Sequence, residues 1–449
     1  MNRKIHLAAL CLLLSAAPSL GQTVRTWSLK DCIDHALAHN IQLRRARLSA
    51  QSSATDVKEA KAGLLPTLSA AVTQSVQYRP FQEQTGNFVN GSIASSSSRK
   101  ATQSGSYGIN ATWVVWNGGK NRADIADRTY SQQIAQLAAD QEANSIQEQI
   151  AQLYVQILYS REAETTNRQL LDADRQLLLR GRELLAAGQM AKSDVAQLEA
   201  QVSSGEYDVV NSATQTAQYE LQLKQLLELP GEEVLRIAGA SPDDEAVLAP
   251  IPLTADVYQA ALTSRPEIES SALGVEQSDL AVKIAKAGRM PTISLTAGLG
   301  DSHMTGTRSD YFTQMKNNFD GSLGISLSIP IFDGRSTKSA VERAQIGQLT
   351  ARLDQQDARK QLYSTIETYH QNAVSHQARY RSSVSAVKSY ETSYELMSEQ
   401  FRLGTANIAE LLNSRSQLLS ARQEMLQNKY TALLNIALLG FYGGGGIEI

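Results

Sequence analysis

The residues best suited to chemistry are few and poorly grouped. His35 and His39 stand four apart, a spacing that puts two imidazoles on one helix face and could grip a metal ion. Only two ligands are visible, so a surface pair accounts for them better than a metal site. His370 and His376 fall on different faces of a helix. No GxSxG, HExxH, P-loop or paired-cysteine pattern occurs. Gly443–Gly446 reads as a flexible end rather than a phosphate cradle. These patterns point to a protein that is not an enzyme and uses no cofactor or metal. Glu410, on a helix near a turn, reads by itself as a solvated carboxylate. Several copies converging on one axis would change that, because like charges repel more strongly as water is excluded.

Composition narrows the class. The 449 residues carry a net charge of -3, with 19% charged and 42% apolar residues. That balance argues against a nucleic-acid binder. Two cysteines cannot make a disulfide scaffold. A mean hydropathy of -0.27 and the lack of a long apolar run exclude a bundle of membrane-spanning helices. Met1–Gly21 reads as a signal peptide, with Arg3 and Lys4 before the apolar stretch Ile5–Ala17 and small residues at the cleavage positions. Neither Cys11 nor Cys32 sits in a lipid-attachment setting, so the exported chain is expected not to be lipidated. None of the ten prolines falls in 81–229 or 331–449, as expected of very long helices.

The elements follow from an internal repeat. Ala60–Ser69 and Ala285–Ser294 are identical at seven of ten positions, at an offset of 225. Ser106–Gly118 resembles Ser322–Gly334 at an offset of 216, which Gly188 and Gly404 share. The duplicated unit reads helix, strand, loop, strand, long helix, turn, helix. The first repeat covers 22–238 and the second 253–440, joined by the acidic connector 230–252 and followed by a tail, 441–449. Four segments alternate apolar and polar residues: about 67–78, 106–116, 292–300 and 322–332. One face of a sandwich could explain them. An outer-membrane barrel fits better, since strands of 9–11 residues with aromatics near both ends suit a bilayer. Four strands cannot close a barrel, and open edges are not tolerated in lipid, so other subunits must complete it.

The long helices are expected over about 119–187 and 335–403, with shorter partners over 189–229 and 405–439. Leu37–Leu64 and Leu262–Ala287 would stack end to end on those partners. Heptad-like seams run through Ile146, Ile150, Leu153 and Ile157, through Val195, Leu198, Val202, Gly205 and Val209, and through Leu412, Leu419, Leu426 and Leu433. The fold class is thus α+β and mainly α, with long coiled-coil helices and four amphipathic transmembrane strands.

In the order and spacing of these parts the chain resembles the TolC-like outer-membrane efflux proteins. The resemblance rests on the junctions Gly63–Pro66, Gly288–Pro291, Val115–Gly119 and Ile331–Gly334, and on the hairpin segments Ala187–Asp194 and Phe401–Leu412. It implies a homotrimer with a 12-stranded barrel and a 12-helix tunnel, located in the cell outer membrane and spanning the periplasm. It implies a periplasmic adaptor (membrane fusion) protein, an inner-membrane pump of RND or ABC type and outer-membrane lipid as partners, and no nucleic acid. The channel would give passive exit to cargo the pump delivers. It would dock its partners at Gly188, Gly404 and Thr405. By match, Ser193, Asp194, Glu410, Asn413, Phe401 and Lys429 would form the periplasmic gate and pore mouth. Asn413 carries no charge at the second acidic ring position, and Ala406 replaces a basic residue. An exported adaptor or coiled-coil scaffold is the alternative.

Overall fold

The computed structural model describes residues 26–81, 86–89, 92–95, 101–232, 234–239, 244–305 and 309–449. The expected signal peptide lies outside them. In chain order the first half holds β1 (Thr26–Trp27), α1 (Leu29–His39), α2 (Ile41–Ala62), β2 (Thr67–Tyr78), β3 (Gly86–Val89), β4 (Ser92–Ser95), β5 (Ala101–Trp116), α3 (Lys120–Ala186) and α4 (Lys192–Leu226). Then follow β6 (Arg236–Ile237), α5 (Asp244–Val247), α6 (Thr254–Ser264), α7 (Pro266–Ala287), β7 (Thr292–Met304), α8 (Tyr311–Asn318), β8 (Asp320–Ser328), α9 (Ser336–Arg402) and α10 (Ile408–Tyr442).

Helix lengths recur in pairs. Both α3 and α9 have 67 residues, and both α4 and α10 have 35. Both α2 and α7 have 22, and both α1 and α6 have 11. The helix expected over 37–64 is broken at Asn40, and that over 262–287 at Arg265. At the first break the Asn40 Oδ1 accepts the N–H groups of Gln42 and Leu43 and so caps α2. At the second, Pro266 holds Arg265 extended, with ψ of 126°, and opens α7. Helix α10 starts and ends three residues later than expected and runs through Gly440 to Tyr442.

The chain divides into two compact units, and both halves contribute to each. Among the described residues, one unit takes those up to Arg45 with Asp140–Arg265 and Lys360–Ile449; the other takes those of Ala46–Ala139 and Pro266–Arg359. The first has a continuous apolar core. Ile146, Ile150, Ile157, Leu223 and Leu438 are fully buried there, with Trp27, Cys32 and Leu43 packed into the same cluster. A parallel pairing of β1 with β6 ties the start of the chain to the connector.

The second unit is built on an antiparallel sheet in the order β2-β5-β7-β8. Register puts Leu68 opposite Ala111, Ile109 opposite Leu299, and Leu295 opposite Ile325. The side-chain period of two then gathers Leu68, Val72, Val76, Ile109, Leu295, Leu299, Leu323, Ile325 and Leu327 on one face, while Val114, opposite Ser294, falls on the other. Serine, threonine, asparagine and glycine otherwise occupy that second face, where the Ser75 and Ser104 hydroxyls bond at 2.7 Å. Trp113 donates from its ring nitrogen to the Leu64 carbonyl at 2.7 Å and pins β5 to the junction between α2 and β2.

Three strands have bounds that differ from the sequence reading. The strand expected over 322–332 runs from Asp320 to Ser328, so Pro330 lies outside it; proline has no N–H to give a ladder. Strands β5 and β7 extend further toward the loops than alternation suggested, to Ala101 and Met304. The loop after β7 contains α8, which its mixed polar composition hid.

Candidate functional site at the helical hairpin turns

Helices α3 and α4 form one hairpin, and α9 and α10 another, and the two turns share one geometry. Gly188 and Gly404 both have a φ of 74°, a left-handed conformation that costs glycine nothing. The N–H of each bonds back to Leu185 or Phe401, and the next residue's N–H reaches Leu184 or Gln400. This is the double bond pattern that ends a helix on a left-handed glycine.

The second helices of the hairpins begin differently. Helix α10 starts with a capping box: Asn407 Oδ1 accepts the Glu410 N–H at 2.9 Å, and the Glu410 carboxylate accepts the Asn407 N–H at 3.2 Å. Ala191 precedes α4 and offers no side-chain cap. Ser193 donates to Asp194 Oδ1 at 3.2 Å, and Asp194 stands in the first turn, where a carboxylate suits the positive end of the helix.

An apolar cluster near the turns joins the hairpins within one chain. Leu178, Val195, Leu198, Ile408 and Leu411 are buried in it, with Phe401, Tyr394 and Met397 packed against it. Leu411 and Leu418 are buried while Leu412 and Leu419 are only partly so, and further along α10 Leu426 and Leu433 are buried. The burying stripe therefore drifts, as a straight helix with 3.6 residues per turn requires.

Behind that cluster lies a charged contact the sequence reading missed. Arg415 of α10 meets Asp174 of α3 through two bonds, Nε to Oδ1 at 2.8 Å and Nη2 to Oδ2 at 2.6 Å. Their side chains are 6% and 2% exposed. Gln201 of α4, with its amide oxygen turned toward the guanidinium, accepts from Arg415 Nη1 at 2.8 Å. Three helices thus meet at one ion pair, and the fork-to-fork geometry fixes their register. Burial pushes the Asp174 carboxyl up from its ordinary value, against the lowering pull of the Arg415 charge and hydrogen bond. Asp174 belongs to a seven-residue row on α3 with Ser160 and Asn167, all buried. Ser160 bonds Thr216 of α4 at 2.9 Å, and Asn167 reaches Ser212 at 3.5 Å.

The expected site residues do not form a single cluster. Glu410 and Asn413 are exposed on α10, and Glu410 is engaged by its own helix cap. Phe401 joins the apolar cluster. Lys429 lies 21 positions beyond the start of α10, about 30 Å along the helix. There it is buried, with its ammonium 5.9 Å from the Tyr430 ring centre. His35 and His39 stack at 4.1 Å, and His35 meets the edge of Trp27. Among the described residues no group of three or more metal-binding side chains occurs.

A sequence profile of a family described as outer membrane efflux protein matches residues 32–228 and 257–442. The chain belongs to the outer membrane efflux protein family. Outer membrane protein TolC of Escherichia coli (strain K12) is 25% identical over 432 residues, which cover 94% of this chain and 82% of TolC. Protein CyaE of Bordetella pertussis is 23% identical over 445 residues, 94% of this chain and 85% of CyaE. The CmeC outer membrane channel of Campylobacter jejuni shares the fold, with a TM-score of 0.76 at 19% identity over 94% of this chain and 86% of CmeC. Membership places the chain in the outer membrane of a Gram-negative cell and makes its function efflux. It disfavours the adaptor and scaffold alternatives. The matched segments include both hairpins, the four sheet strands and the Asp174–Arg415 contact.

Proposed function

We propose that three copies of this chain close a 12-stranded barrel in the outer membrane and a 12-helix tunnel through the periplasm. The tunnel gives passive exit to cargo delivered by an inner-membrane pump, of RND or ABC type, through a periplasmic adaptor. The observation that carries this reading is the sheet. Its aliphatic face is exposed, and neither outer edge, on β2 or β8, pairs with another strand among the described residues. Such edges are not tolerated in hydrocarbon. Strands β2 and β8 run in opposite directions, so the β8 edge of one copy can add to the β2 edge of the next in the antiparallel sense. A stripe on α9, Ile346, Leu349 and Leu353, is also exposed at helical spacing and suits a neighbouring helix. The paired helix lengths support descent of the two halves from one duplicated unit.

In this reading the hairpin turns at Gly188, Gly404 and Thr405 meet the adaptor. Ser193, Asp194, Glu410, Asn413 and Phe401 surround the pore mouth, whereas Lys429, buried within one chain about 30 Å along α10, lies away from it. Three Glu410 carboxylates in water interact by about 1 kcal/mol per close pair, enough to filter cations but not to lock a gate. Planar-bilayer recording of the detergent-extracted protein tests this. Stepwise, cation-selective conductance is expected. A protein recovered in the soluble periplasmic fraction, with no conductance, would sink the reading.

A further inference from the structure

The eight-residue helix α8 sits at the loop end of the sheet, and its side chains divide into three directions. Gln314 Oε1 accepts the Met304 N–H at 2.8 Å, and Asn318 Nδ2 donates to the Ser302 carbonyl at 2.6 Å. Both bonds fall on β7 beyond the point where β8 pairs with it. They satisfy backbone that the sheet leaves open and fix the helix there. The Tyr311 ring lies 4.8 Å from the His303 ring, which stacks on Tyr107 at 5.8 Å. The Tyr311 hydroxyl also reaches that of Tyr107 at 3.5 Å.

This contact identifies the face. Register pairs His303 with Gly105 and Asp301 with Tyr107, so His303 and Tyr107 belong to the same face as Ile109, Leu299 and Ile325. That is the aliphatic face, not the serine-rich one. Tyr311 therefore anchors α8 over the end of the surface assigned above to lipid. At about 100° per residue, Phe312 and Lys316 share one flank of the helix beyond Tyr311, and Thr313 and Asn317 lie a further ~100° round, away from both Tyr311 and that flank. Phe312 is 80% exposed. Phe319, just past the helix end, is exposed too, as are Tyr78 and Phe81 at the same end of β2.

We propose that α8 is an interfacial anchor: Phe312 and Phe319 enter the acyl–headgroup boundary of the outer leaflet, and Lys316 meets the anionic headgroups. The proposal rests on the barrel reading. Its occupant follows from two features, continuity with the aliphatic face through Tyr311 and the pairing of an aromatic with a cation at i, i+4. That combination suits a helix lying in a membrane interface. One segment of the loop after β7 then folds back onto the lipid side of the barrel.

Spin labels on single cysteines test it. In protein with Cys32 replaced by alanine, labels go at Phe312→Cys, Asn317→Cys and Ile325→Cys, and the protein is reconstituted in phosphatidylethanolamine–phosphatidylglycerol liposomes. Collision with oxygen, which favours hydrocarbon, is compared with collision with a water-soluble nickel chelate. Position 325 should favour oxygen strongly. Position 312 should favour it several-fold over position 317 while remaining shallower than 325. Nickel-favoured collision at 312 beside an oxygen-favoured 325 would overturn the anchor and spare the barrel. Shielding of 312 from both reagents would assign the flank to a neighbouring chain and also overturn it. Nickel-favoured collision at 325 would overturn the barrel reading itself.

Discussion

Ile325, in the middle of β8, is 77% exposed, whereas Leu198, on α4 beside the hairpin turns, is 1% exposed. The two side chains are equally apolar and belong to regular elements of one chain. The hairpins bury their aliphatic seams against each other and add a buried ion pair between Asp174 and Arg415. The sheet turns its aliphatic face outward and, among the described residues, leaves its β2 and β8 edges unpaired. The hairpin cluster is thus completed within one chain. In the proposed barrel, lipid and strands of further copies complete the sheet. The contrast separates residues whose substitution should act in the isolated chain from those that should act only in the membrane assembly.

The sharpest break in the contrast is expected at the ion pair. Arg415→Ala leaves the Asp174 carboxylate buried without its partner and should cost about 3–5 kcal/mol. It should lower the urea midpoint followed by helical circular dichroism. Replacing both residues together, Asp174→Leu with Arg415→Met, should recover most of that loss. If the double variant is as unstable as the single one, the cost does not come from an unpaired charge.

Truncation comes next. Leu198→Ala should cost about 2–5 kcal/mol through lost burial and a residual cavity. Ile325→Ala should change the stability of the detergent-extracted protein much less. Ile325→Arg should cost about 2–4 kcal/mol if that position lies near the bilayer midplane, with little effect from Ser326→Arg on the opposite face. Equal effects of the two arginines, measured by unfolding in liposomes, would erase the distinction between the faces.

Sequence alone made much of this legible. Alternation in β2 placed the strand residue for residue, because its two faces meet different surroundings and the period of two survives intact. The long helices were readable to within a residue or two, since proline-free tracts ended by glycine leave few other choices. The break at Asn40 was missed because it does not interrupt the apolar pattern, while that at Arg265 was missed although Pro266 signals it. The end of β8 was misplaced because Ile329 and Ile331 continue the alternation while Pro330 cannot continue the ladder. The Asp174–Arg415 contact was missed although a signal existed. A charged residue set between Leu171 and Leu178, and another between Leu411 and Leu418, each stand in an apolar stripe and require a partner. Sequence spacing of 241 positions does not say which partner.

Smaller effects sharpen the reading of the turns. Gly188→Ala and Gly404→Ala should each cost about 1 kcal/mol, and by similar amounts, because both glycines hold the same left-handed backbone. Glu410→Gln keeps a side chain able to complete the capping box and removes the charge. Cation block of conductance should therefore weaken while stability holds. An unchanged block would remove Glu410 from the pore mouth.

The smallest effect is a pH dependence. The Asp174 carboxyl is raised in the folded state, so the folded chain holds that proton more tightly than the unfolded one. Asp174's contribution is then fully present below its ordinary, unfolded value and is lost as pH rises through the raised one. The slope of stability against pH in that window should flatten in Asp174→Asn, as followed by urea unfolding at a series of pH values.

The most direct test counts chains. Light scattering on the detergent-extracted, size-separated protein should give three chains per particle, because only added strands can satisfy the β2 and β8 edges. A single chain per particle that still conducts in bilayers would contradict the account.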